Sequence, residues 1–257
     1  MKPSFSIGVL CNSRETLARN LLASPMLADP DIELHLAHDP GSAAEAYNRI
    51  LEESAAPHVL LVHQDVYLPP GWRQRLERAI AQLDASDPGW AVFGAIGMSA
   101  EGNLVGEVWS TGIGKLIGTA LERPCPVQSL DELLLVLRRE AGLRFDPALD
   151  GFHMYGTDIV QSALAAGAGA YACALPLVHN HRFRTRLDES FSRAYAFIRR
   201  KWRARLPIRT TVLEVSAVAP SLALYRLRER LSVERRRAQD SDCRTDPRVF
   251  SARCGWE

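Results

Sequence analysis

The chain has 257 residues, of which 47% are hydrophobic and 24% charged, and its formal net charge is +1. This composition is that of a soluble globular protein, long enough for one large domain or two small ones with a sizeable core. The five cysteines are scattered and never spaced as CxxC, so we expect free thiols rather than a disulfide framework or a zinc site. No apolar run at the start has the length of a signal or membrane-spanning segment, and we predict a cytoplasmic location.

The charges are unevenly distributed along the chain. Residues 1–181 carry 12 Lys and Arg against 21 Asp and Glu, whereas residues 182–239 carry 16 against 5. We therefore predict an acidic body at 1–181, a basic helical extension at 182–239 packed on it, and a polar tail at 240–257 with the composition of a disordered segment. The basic extension favours contact with phosphates or an anionic membrane surface, and a set of solvated helix faces is the alternative.

The first hundred residues alternate between apolar runs and helical patterns. Apolar runs predict strands, and one-sided apolar patterns predict helices, at these positions: strands 5–10, 31–37, 58–62 and 90–98, and helices 13–24, 42–55 and 69–83. Ser13 is a candidate N-cap, and Ser42 with Glu45 has the spacing of a capping box. This order predicts an α/β fold with a mostly parallel central sheet and helices on both faces.

The second half is less regular. A glycine-rich stretch near residue 110 predicts turns or short strands, and 129–140 fits either a strand or a helix. A helix at 156–169 and a strand at 170–179 follow. Two basic helices are then predicted at 188–207 and 221–239.

Polar side chains follow several of the predicted strands. These residues are Asn12, Asp39, His63, Asp65, His179 and His181. The carboxyl ends of parallel strands meet at one edge of a sheet, where ligands bind, so we expect these side chains to converge. His63 and Asp65 are two apart and point the same way, and one carboxylate with a histidine from elsewhere would bind a divalent ion and leave positions open for diphosphate oxygens. A turn or cap role for Asp65, and a hydrogen-bonded strand end for His63, are the alternatives.

A second polar stretch, residues 144–164, combines acids with aromatic side chains. It contains Asp146, Asp150, His153 and Asp158 beside Phe145, Phe152 and Tyr155. Asp158 falls in the first turn of the predicted helix, where the helix dipole favours the ionised carboxylate, and such a group can act as a general base. Helix capping is the alternative. The chain contains no GxGxxG, GxxxxGK[ST] or GxSxG motif.

Several of these stretches, taken in order, resemble a family of glycosyltransferase-like proteins with the GT-A fold, close to the inverting family-2 type, that includes a streptomycin-biosynthesis protein. The resemblance runs over residues 4–208. It is carried by "SIGVLCNS", "AEAYNRIL", "HVLLVHQDVYLPPGW", "FDPALDGFHMYGTDI", "LVHNH" and "RRKWRARLPI".

The resemblance implies a GT-A (Rossmann-like) nucleotide-sugar-binding and catalytic domain at 1–181. It implies an inverting glycosyltransferase that uses a UDP- or other nucleotide-sugar donor with Mn²⁺ or Mg²⁺. The acceptor would be a glycan, a lipid-linked molecule or a small molecule, and not a nucleic acid. Residues 182–239 would provide any contact with the membrane surface.

The resemblance also assigns site residues. Asp65 stands where the family has the last aspartate of a DxD-like motif, which binds the metal and the donor diphosphate, and His179 matches a late histidine of the metal site. Asp158 matches the catalytic base. Weaker matches place Asn12, Asp39 and Asn48 at the nucleotide. His63 replaces the usual first acid of the motif, and whether it is a ligand, a partner of a ligand or the sign of a lost site stays open.

Two other classes of function are alternatives. The incomplete acidic pair favours a non-catalytic module that binds nucleotide-sugars or glycans on a GT-A scaffold. A nucleotidyltransferase requires a glycine-rich basic loop after the first strand, and "VLCNSRETLARN" has no glycine there.

Overall fold

A seven-stranded sheet forms the centre of the molecule. The structure is a computed structural model and describes residues 3–182, 187–217, 222–227 and 244–257. The strands found within these residues are β1 Phe5–Cys11, β2 Ile32–His38, β3 His58–His63, β4 Val66–Tyr67, β5 Trp90–Gly94, β6 Ile96–Met98, β7 Leu104–Ser110, β8 Lys115–Thr119, β9 Cys125–Pro126, β10 Ser129–Leu130, β11 Leu134–Arg138, β12 Gly169–Ala172, β13 Leu177–His179, β14 Ile208–Arg209 and β15 Glu214–Val215. The central sheet has the order β2-β1-β3-β11-β5-β12-β9.

The helices within the same residues lie between and after these strands. They are α1 Arg14–Arg19, α2 Ala43–Glu53, α3 Trp72–Ser86, α4 Tyr155–Ala165, α5 Glu189–Lys201, α6 222–227 and α7 Pro247–Arg253. No helix in this part of the chain has the length and apolarity needed to cross a membrane.

The α/β class is confirmed, but the central sheet is mixed rather than mostly parallel. β1 runs parallel to β2 and β3, and β12 runs parallel to β5. β11 is antiparallel to both β3 and β5. A parallel neighbour requires a crossover connection, usually a helix, whereas a short loop brings the chain from β10 directly into β11. The stretch 129–140 is thus two strands and contains no α-helix.

A second sheet has the order β10-β6-β7-β13-β4, and β8 pairs with β7. Two stretches that the sequence predicted as single strands each contribute to both sheets. The stretch 90–98 bends at Ala95 between β5 and β6, and the stretch 170–179 leaves the first sheet after β12 and enters the second as β13. The apolar run is continuous through both bends because each bend is itself buried.

Apolar side chains cover both faces of the central sheet, as predicted. On one face α2, α4 and α5 contribute side chains such as Tyr47, Ile159 and Phe191. On the other face α1 and α3 contribute Leu17, Trp72 and others. The predicted starts of α1 and α2 are confirmed by their N-caps. The hydroxyl of Ser13 accepts a hydrogen bond from Thr16 N, and that of Ser42 accepts one from Glu45 N. The helix predicted at 13–24 is shorter: α1 ends at Arg19, and two short 3₁₀ turns follow.

The polar tail, whose composition alone left open whether it is ordered, is folded where the structure describes it. Asp246 caps α7, and Phe250 and Trp256 are buried against Tyr67, Trp109 and Val178 of the second sheet. Two large apolar side chains thus anchor a segment whose overall composition is polar. Of the predicted helix 221–239, residues 222–227 are helical, and the rest lies outside the described residues.

Candidate metal and nucleotide site

His63, Asp65 and His179 converge at the carboxyl ends of β3 and β13. One potential ligand atom from each of the three lies within 4.8 Å of the others. The sheet topology explains this arrangement, because the chain turns after His63 and pairs β4 antiparallel with β13, so that His179 lies opposite Val66. A hydrogen bond of 2.8 Å from Asn180 N to the carbonyl of Asp65 joins the two segments.

Asp65 lies between the two histidines of this cluster. Its Oδ1 is 3.4 Å from Nε2 of His179 and 4.0 Å from Nδ1 of His63. Burial opposes ionisation of the Asp65 carboxyl, but the charge and hydrogen bond of His179 and the charge of His63 outweigh it and hold the pKa well below its usual range. The carboxylate is therefore ionised at neutral pH.

These three side chains fit a divalent metal ion. An ion with ligands at about 2.1 Å places neighbouring ligand atoms about 3 to 4 Å apart, which is the spacing seen around Asp65. Two imidazole nitrogens and one carboxylate oxygen leave several coordination positions open for oxygen ligands from a substrate. The side chains are partly buried but retain 19–34% of their exposure, so the cluster is accessible from solvent.

His181 forms a second layer behind His179. The two rings stack with centroids 4.0 Å apart. Nδ1 of His181 donates to the carbonyl of Arg182, so in the neutral ring Nε2 accepts from the hydroxyl of Ser110 at 2.9 Å. Burial, followed by the neighbouring charge of His179, lowers the pKa of His181 to about 3, and the ring is neutral at physiological pH.

The predicted nucleotide residues Asn12 and Asp39 are connected to the same cluster. Asp39 N donates to the carbonyl of Cys11 at 3.0 Å, which places Asp39 beside Asn12. Gln64, between the two polar residues of the motif, donates to Oδ1 of Asn12 and accepts from the backbone N–H of Asn12 and Ser13. Gln64 was not assigned a role from the sequence, although its place between His63 and Asp65 is a usable signal.

Tyr155 contacts His63 of the cluster, and Glu132 contacts Tyr155; neither residue was assigned a role from the sequence. The hydroxyl of Tyr155 lies 2.9 Å from Nε2 of His63 and 3.3 Å from the carbonyl of Glu132. The carboxylate of Glu132 accepts from Gly156 N, and burial followed by the charge of Asp131 raises its pKa above the usual range.

A cavity of about 100 Å³ lies beside Glu132. It is lined by residues from β10 and the loop that follows it, from the starts of α4 and α5, and from the β14–β15 hairpin: Leu130, Glu132, His153, Met154, Thr157, Leu187, Phe191, Thr210, Thr211 and Val212.

Asp158 lies one turn into α4 and is deeply buried. Its Oδ1 accepts from the indole N–H of Trp202 at 2.7 Å, and its Oδ2 accepts from Nζ of Lys201 at 2.8 Å. Lys201 also pairs with Asp146 at 2.8 Å. Burial raises the pKa of Asp158, and the bonds from Lys201 and Trp202 oppose this increase. The carboxylate joins α4 to the end of α5, and its predicted role as a base stays a prediction.

Asn48 lies on α2, and both polar atoms of its side-chain amide form hydrogen bonds with the backbone of Phe145. Nδ2 donates to the carbonyl of Phe145 at 2.8 Å, and Oδ1 accepts from its N–H at 2.9 Å. These bonds position the loop before α4. The predicted contact of Asn48 with a nucleotide stays a prediction.

Comparisons with known proteins support the fold. No family model matches the sequence. The chain is 31% identical over 165 residues to the "ATP synthase subunits region ORF 6" of Fuscovulum blasticum, and the match covers 63% of this chain and 66%, just under two thirds, of that protein.

The solved structures that are similar to the chain include two with bound nucleotide and Mn²⁺. The crystal structure of GalNAc-T7 with UDP, GalNAc and Mn²⁺ aligns with a TM-score of 0.51 and 11% identity, over 80% of this chain and about half (52%) of that one. The mannosyltransferase PcManGT from Pyrobaculum calidifontis, in complex with GDP-Man and Mn²⁺, aligns with a TM-score of 0.49 and 13% identity, over 91% and 70%. At this identity the first similarity shows the fold alone. The chain has the predicted GT-A, Rossmann-like fold.

Proposed function

We propose that this protein transfers a sugar from a nucleotide-sugar donor to an acceptor hydroxyl with the help of a divalent metal ion. One observation carries the proposal: in a glycosyltransferase fold, His63, Asp65 and His179 bring three metal-ligating atoms together at the ligand-binding edge of the sheet. The link to the inverting family-2 type rests on the sequence resemblance.

The side chains along this edge would have different roles. Asp65, with the histidines, would hold the metal, which when bound supplies positive charge to the departing diphosphate. Asn12 and Asp39 lie next to the cluster through Gln64 and would contact the nucleoside. In an inverting transfer the acceptor oxygen attacks the anomeric carbon from the face opposite the leaving nucleoside diphosphate. The proton of the acceptor hydroxyl passes to a base.

Asp158 is the base that the resemblance assigns. Because Lys201 and Trp202 hold both of its oxygens, this role requires an acceptor hydroxyl to replace one of these donors. We expect Asp158→Asn to lower turnover by about 10²–10⁴-fold while the affinity for donor is unchanged. Lys201→Met, which removes one partner of the Asp158 carboxylate, is the control. If the activities of Asp158→Asn and Lys201→Met fall only in proportion to the folded fraction, the role of Asp158 is structural.

A thermal-shift screen of nucleotide-sugars, with and without Mn²⁺, tests the proposal. A ligand that binds the folded state raises the melting temperature. We expect at least one UDP- or GDP-sugar to stabilise the protein only when Mn²⁺ is present, and Asp65→Ala to abolish the shift. No stabilisation by any donor would contradict the proposal.

A non-catalytic module that binds nucleotide-sugars is the second candidate. The burial of Asp158 against Lys201 and Trp202 favours it, because no carboxylate at that position is available in this conformation. A transferase would slowly release nucleoside diphosphate from the donor in the presence of Mn²⁺. We expect this release from the natural protein and not from Asp65→Ala. Tight donor binding without any release would identify the module.

A lipid-linked acceptor at an anionic membrane surface is a further part of the proposal. The support is the basic segment 182–239, in which Arg200, Arg203 and Arg205 are exposed at the end of α5. We expect salt-sensitive sedimentation with vesicles containing anionic lipid, reduced when the three arginines are replaced by glutamine. Equal sedimentation of both proteins would contradict this part. The predicted cytoplasmic location stays a prediction.

A further inference from the structure

We propose that the cavity beside Glu132 binds a small acceptor that carries an amino group, with the ammonium paired to the Glu132 carboxylate and a neighbouring hydroxyl of the acceptor bonded to Thr157. This inference rests on the proposed function, because it names the class of acceptor for the same site. The recognition uses none of the candidate metal ligands.

Glu132 lines this cavity without a cation beside its carboxylate. Oε1 accepts from Gly156 N at 3.3 Å, and no lysine, arginine or histidine of the described part of the chain forms an ion pair with the carboxylate. Burial, followed by the charge of Asp131, raises the pKa of Glu132 to about 8. Buried acids in proteins are usually paired with a cation or protonated. An ammonium group in the cavity would supply a positive charge and return the carboxyl to its ionised form.

Thr157 offers the cavity a second polar group. The residue is only 2% exposed and lies in the first turn of α4. Its hydroxyl forms no hydrogen bond with any residue that the structure describes, whereas Thr210 is bonded within its own hairpin and Thr211 donates to Asp131. A hydroxyl can both donate and accept, and a buried one is expected to have a partner. The Thr157 hydroxyl is therefore available to a polar group of a ligand.

The apolar part of the lining limits the size of the ligand. Phe191 contributes an aromatic ring, and Met154 and Leu187 contribute aliphatic side chains. Ammonium groups are attracted to aromatic rings, so a ring beside a carboxylate suits an amine. The cavity of about 100 Å³ is well below the roughly 300–1,000 Å³ of pockets that enclose a drug-sized molecule. It has room for one ring-sized group.

The cavity is connected to the candidate metal site through the start of β11. The carbonyl of Leu133, next to Glu132, accepts from His63 N at 3.0 Å. The Tyr155 hydroxyl lies 3.3 Å from the Glu132 carbonyl and 2.9 Å from Nε2 of His63. An acceptor anchored on Glu132 would therefore lie beside a donor whose diphosphate is held at the cluster. Glu132 is assigned a role in binding and not the role of the base.

Three small molecules of similar size test the inference on the full chain at pH 8, where about half of the Glu132 carboxyls are ionised before a ligand binds. They are vicinal trans-aminocyclohexanol, vicinal trans-cyclohexanediol and cyclohexylamine, and ligand-observed NMR would give their affinities. We expect the aminocyclohexanol to bind at least about tenfold more tightly than the diol, since a charge-assisted hydrogen bond replaces a neutral one. Cyclohexylamine lacks the hydroxyl and should bind about threefold to tenfold more weakly than the aminocyclohexanol.

Two variants identify the side chains responsible. Glu132→Gln keeps an oxygen that can accept from Gly156 N but removes the charge, so the aminocyclohexanol should lose its advantage over the diol. Glu122→Gln removes an exposed carboxylate outside the lining and should retain that advantage. Thr157→Val keeps the shape of the side chain and should make the aminocyclohexanol bind no more tightly than cyclohexylamine.

The outcomes that contradict the inference are specific. Equal binding of the aminocyclohexanol and the diol by the natural protein would overturn the proposal, whatever the variants do. An unchanged preference in Glu132→Gln would overturn the role of Glu132, and an unchanged advantage over cyclohexylamine in Thr157→Val would overturn that of Thr157.

Failure of this inference and failure of the proposed function give different results. If the amines bind as expected but no nucleotide-sugar binds with Mn²⁺, the cavity assignment is correct and the glycosyltransferase assignment is wrong. If a donor binds with Mn²⁺ and the amines show no preference for the cavity, the proposed function stands and the amine assignment is wrong.

Discussion

Gly112 allows the loop after β7 to approach the ring of His181. A Cβ atom added at Gly112 would lie 2.4 Å from Cε1 of His181, closer than any real contact, so the position cannot carry a side chain without moving the ring. Since that ring stacks on His179, the absence of one methyl group at residue 112 contributes to the position of a candidate metal ligand.

The first prediction concerns this contact. Gly112→Ala should displace His181 and with it His179, and we expect Mn²⁺ affinity to fall about tenfold, as it does when partners of metal ligands are removed. Gly41→Ala, at a position where an added Cβ meets nothing within 4 Å, should leave the affinity unchanged. Calorimetry on the two variants checks this, and equal affinities would contradict it.

Gln64 provides a second prediction at the same scale. It holds the backbone of Asn12 and Ser13 through one carbonyl oxygen. Gln64→Met keeps the length of the side chain but loses these bonds, so we expect weaker nucleotide binding with Mn²⁺ affinity retained. A titration of UDP and GDP in the presence of saturating Mn²⁺ measures the effect. Parallel loss of metal affinity would show that Gln64 acts on the cluster instead.

The sequence predicted that the polar side chains at the strand ends lie close together, but it did not predict the contacts of Tyr155 and Asp158. Asn12, Asp39, Asp65 and His179 follow strands, and the geometry of a sheet brings strand ends together. The contact of Tyr155 with His63 spans 92 residues and depends on how α4 packs on the sheet, which no local pattern encodes. The burial of the Asp158 carboxylate likewise depends on Lys201 and Trp202 of another helix.

At the scale of elements, β3 and β13 carry the candidate site at their carboxyl ends, and α7 packs against β4 and β13. Phe250 of α7 stacks on Trp109 with ring centroids 5.5 Å apart, and Asn180, next to His179, donates to the carbonyl of Thr245 just before α7. The C-terminal segment thus supports the strand that ends in His179. Composition suggested a disordered tail because a few buried aromatic residues among many polar ones do not alter an average.

The third prediction tests this support. Phe250→Ala should lower the free energy of unfolding by about 3 kcal/mol and weaken Mn²⁺ binding, because a buried aromatic ring next to β13 is lost. Val249→Ala changes an exposed neighbour on the same helix and should alter stability by less than about 0.5 kcal/mol. Urea denaturation and calorimetry measure the two effects. A stability loss with unchanged metal affinity would contradict the link to the site.

At the scale of the whole molecule, the two sheets share two stretches of chain, 90–98 and 170–179. Their apolar runs predicted buried strands correctly, but not the bends, since a bend inside a core has the same composition as the strands around it. The order of strands could not be predicted either: an antiparallel β11 in the centre depends on the second sheet, whose short strands lie in a glycine-rich region with no clear period.

The central sheet also leads to a pH prediction. His58 begins β3 and stacks on Trp90 with ring centroids 5.6 Å apart. Burial is the main cause that lowers the pKa of His58 below its ordinary value of 6.5. Above pH 6.5 His58 is neutral in both the folded and the unfolded state. Below it the unfolded state binds the proton more readily, so the free energy of unfolding falls with decreasing pH.

His58→Phe keeps an aromatic ring in the stack and removes the titration. We expect the loss of stability between pH 7 and pH 5 to be smaller in this variant than in the natural protein. Urea denaturation at both pH values measures the difference. The same loss in the two proteins would show that other groups account for the pH dependence.

The hydrogen bonds of Asn180 also affect when during synthesis the site can form. Its side chain joins Asn20, 160 residues earlier, to Thr245, which follows it by 65 residues. While a ribosome is still adding the residues after 180, the strand ending in His179 has only one of these two partners, and the surface around Trp109 and Val178 is uncovered. A nascent chain therefore exposes an apolar edge until α7 has emerged from the ribosome, and we expect the candidate metal site to be complete only after that point.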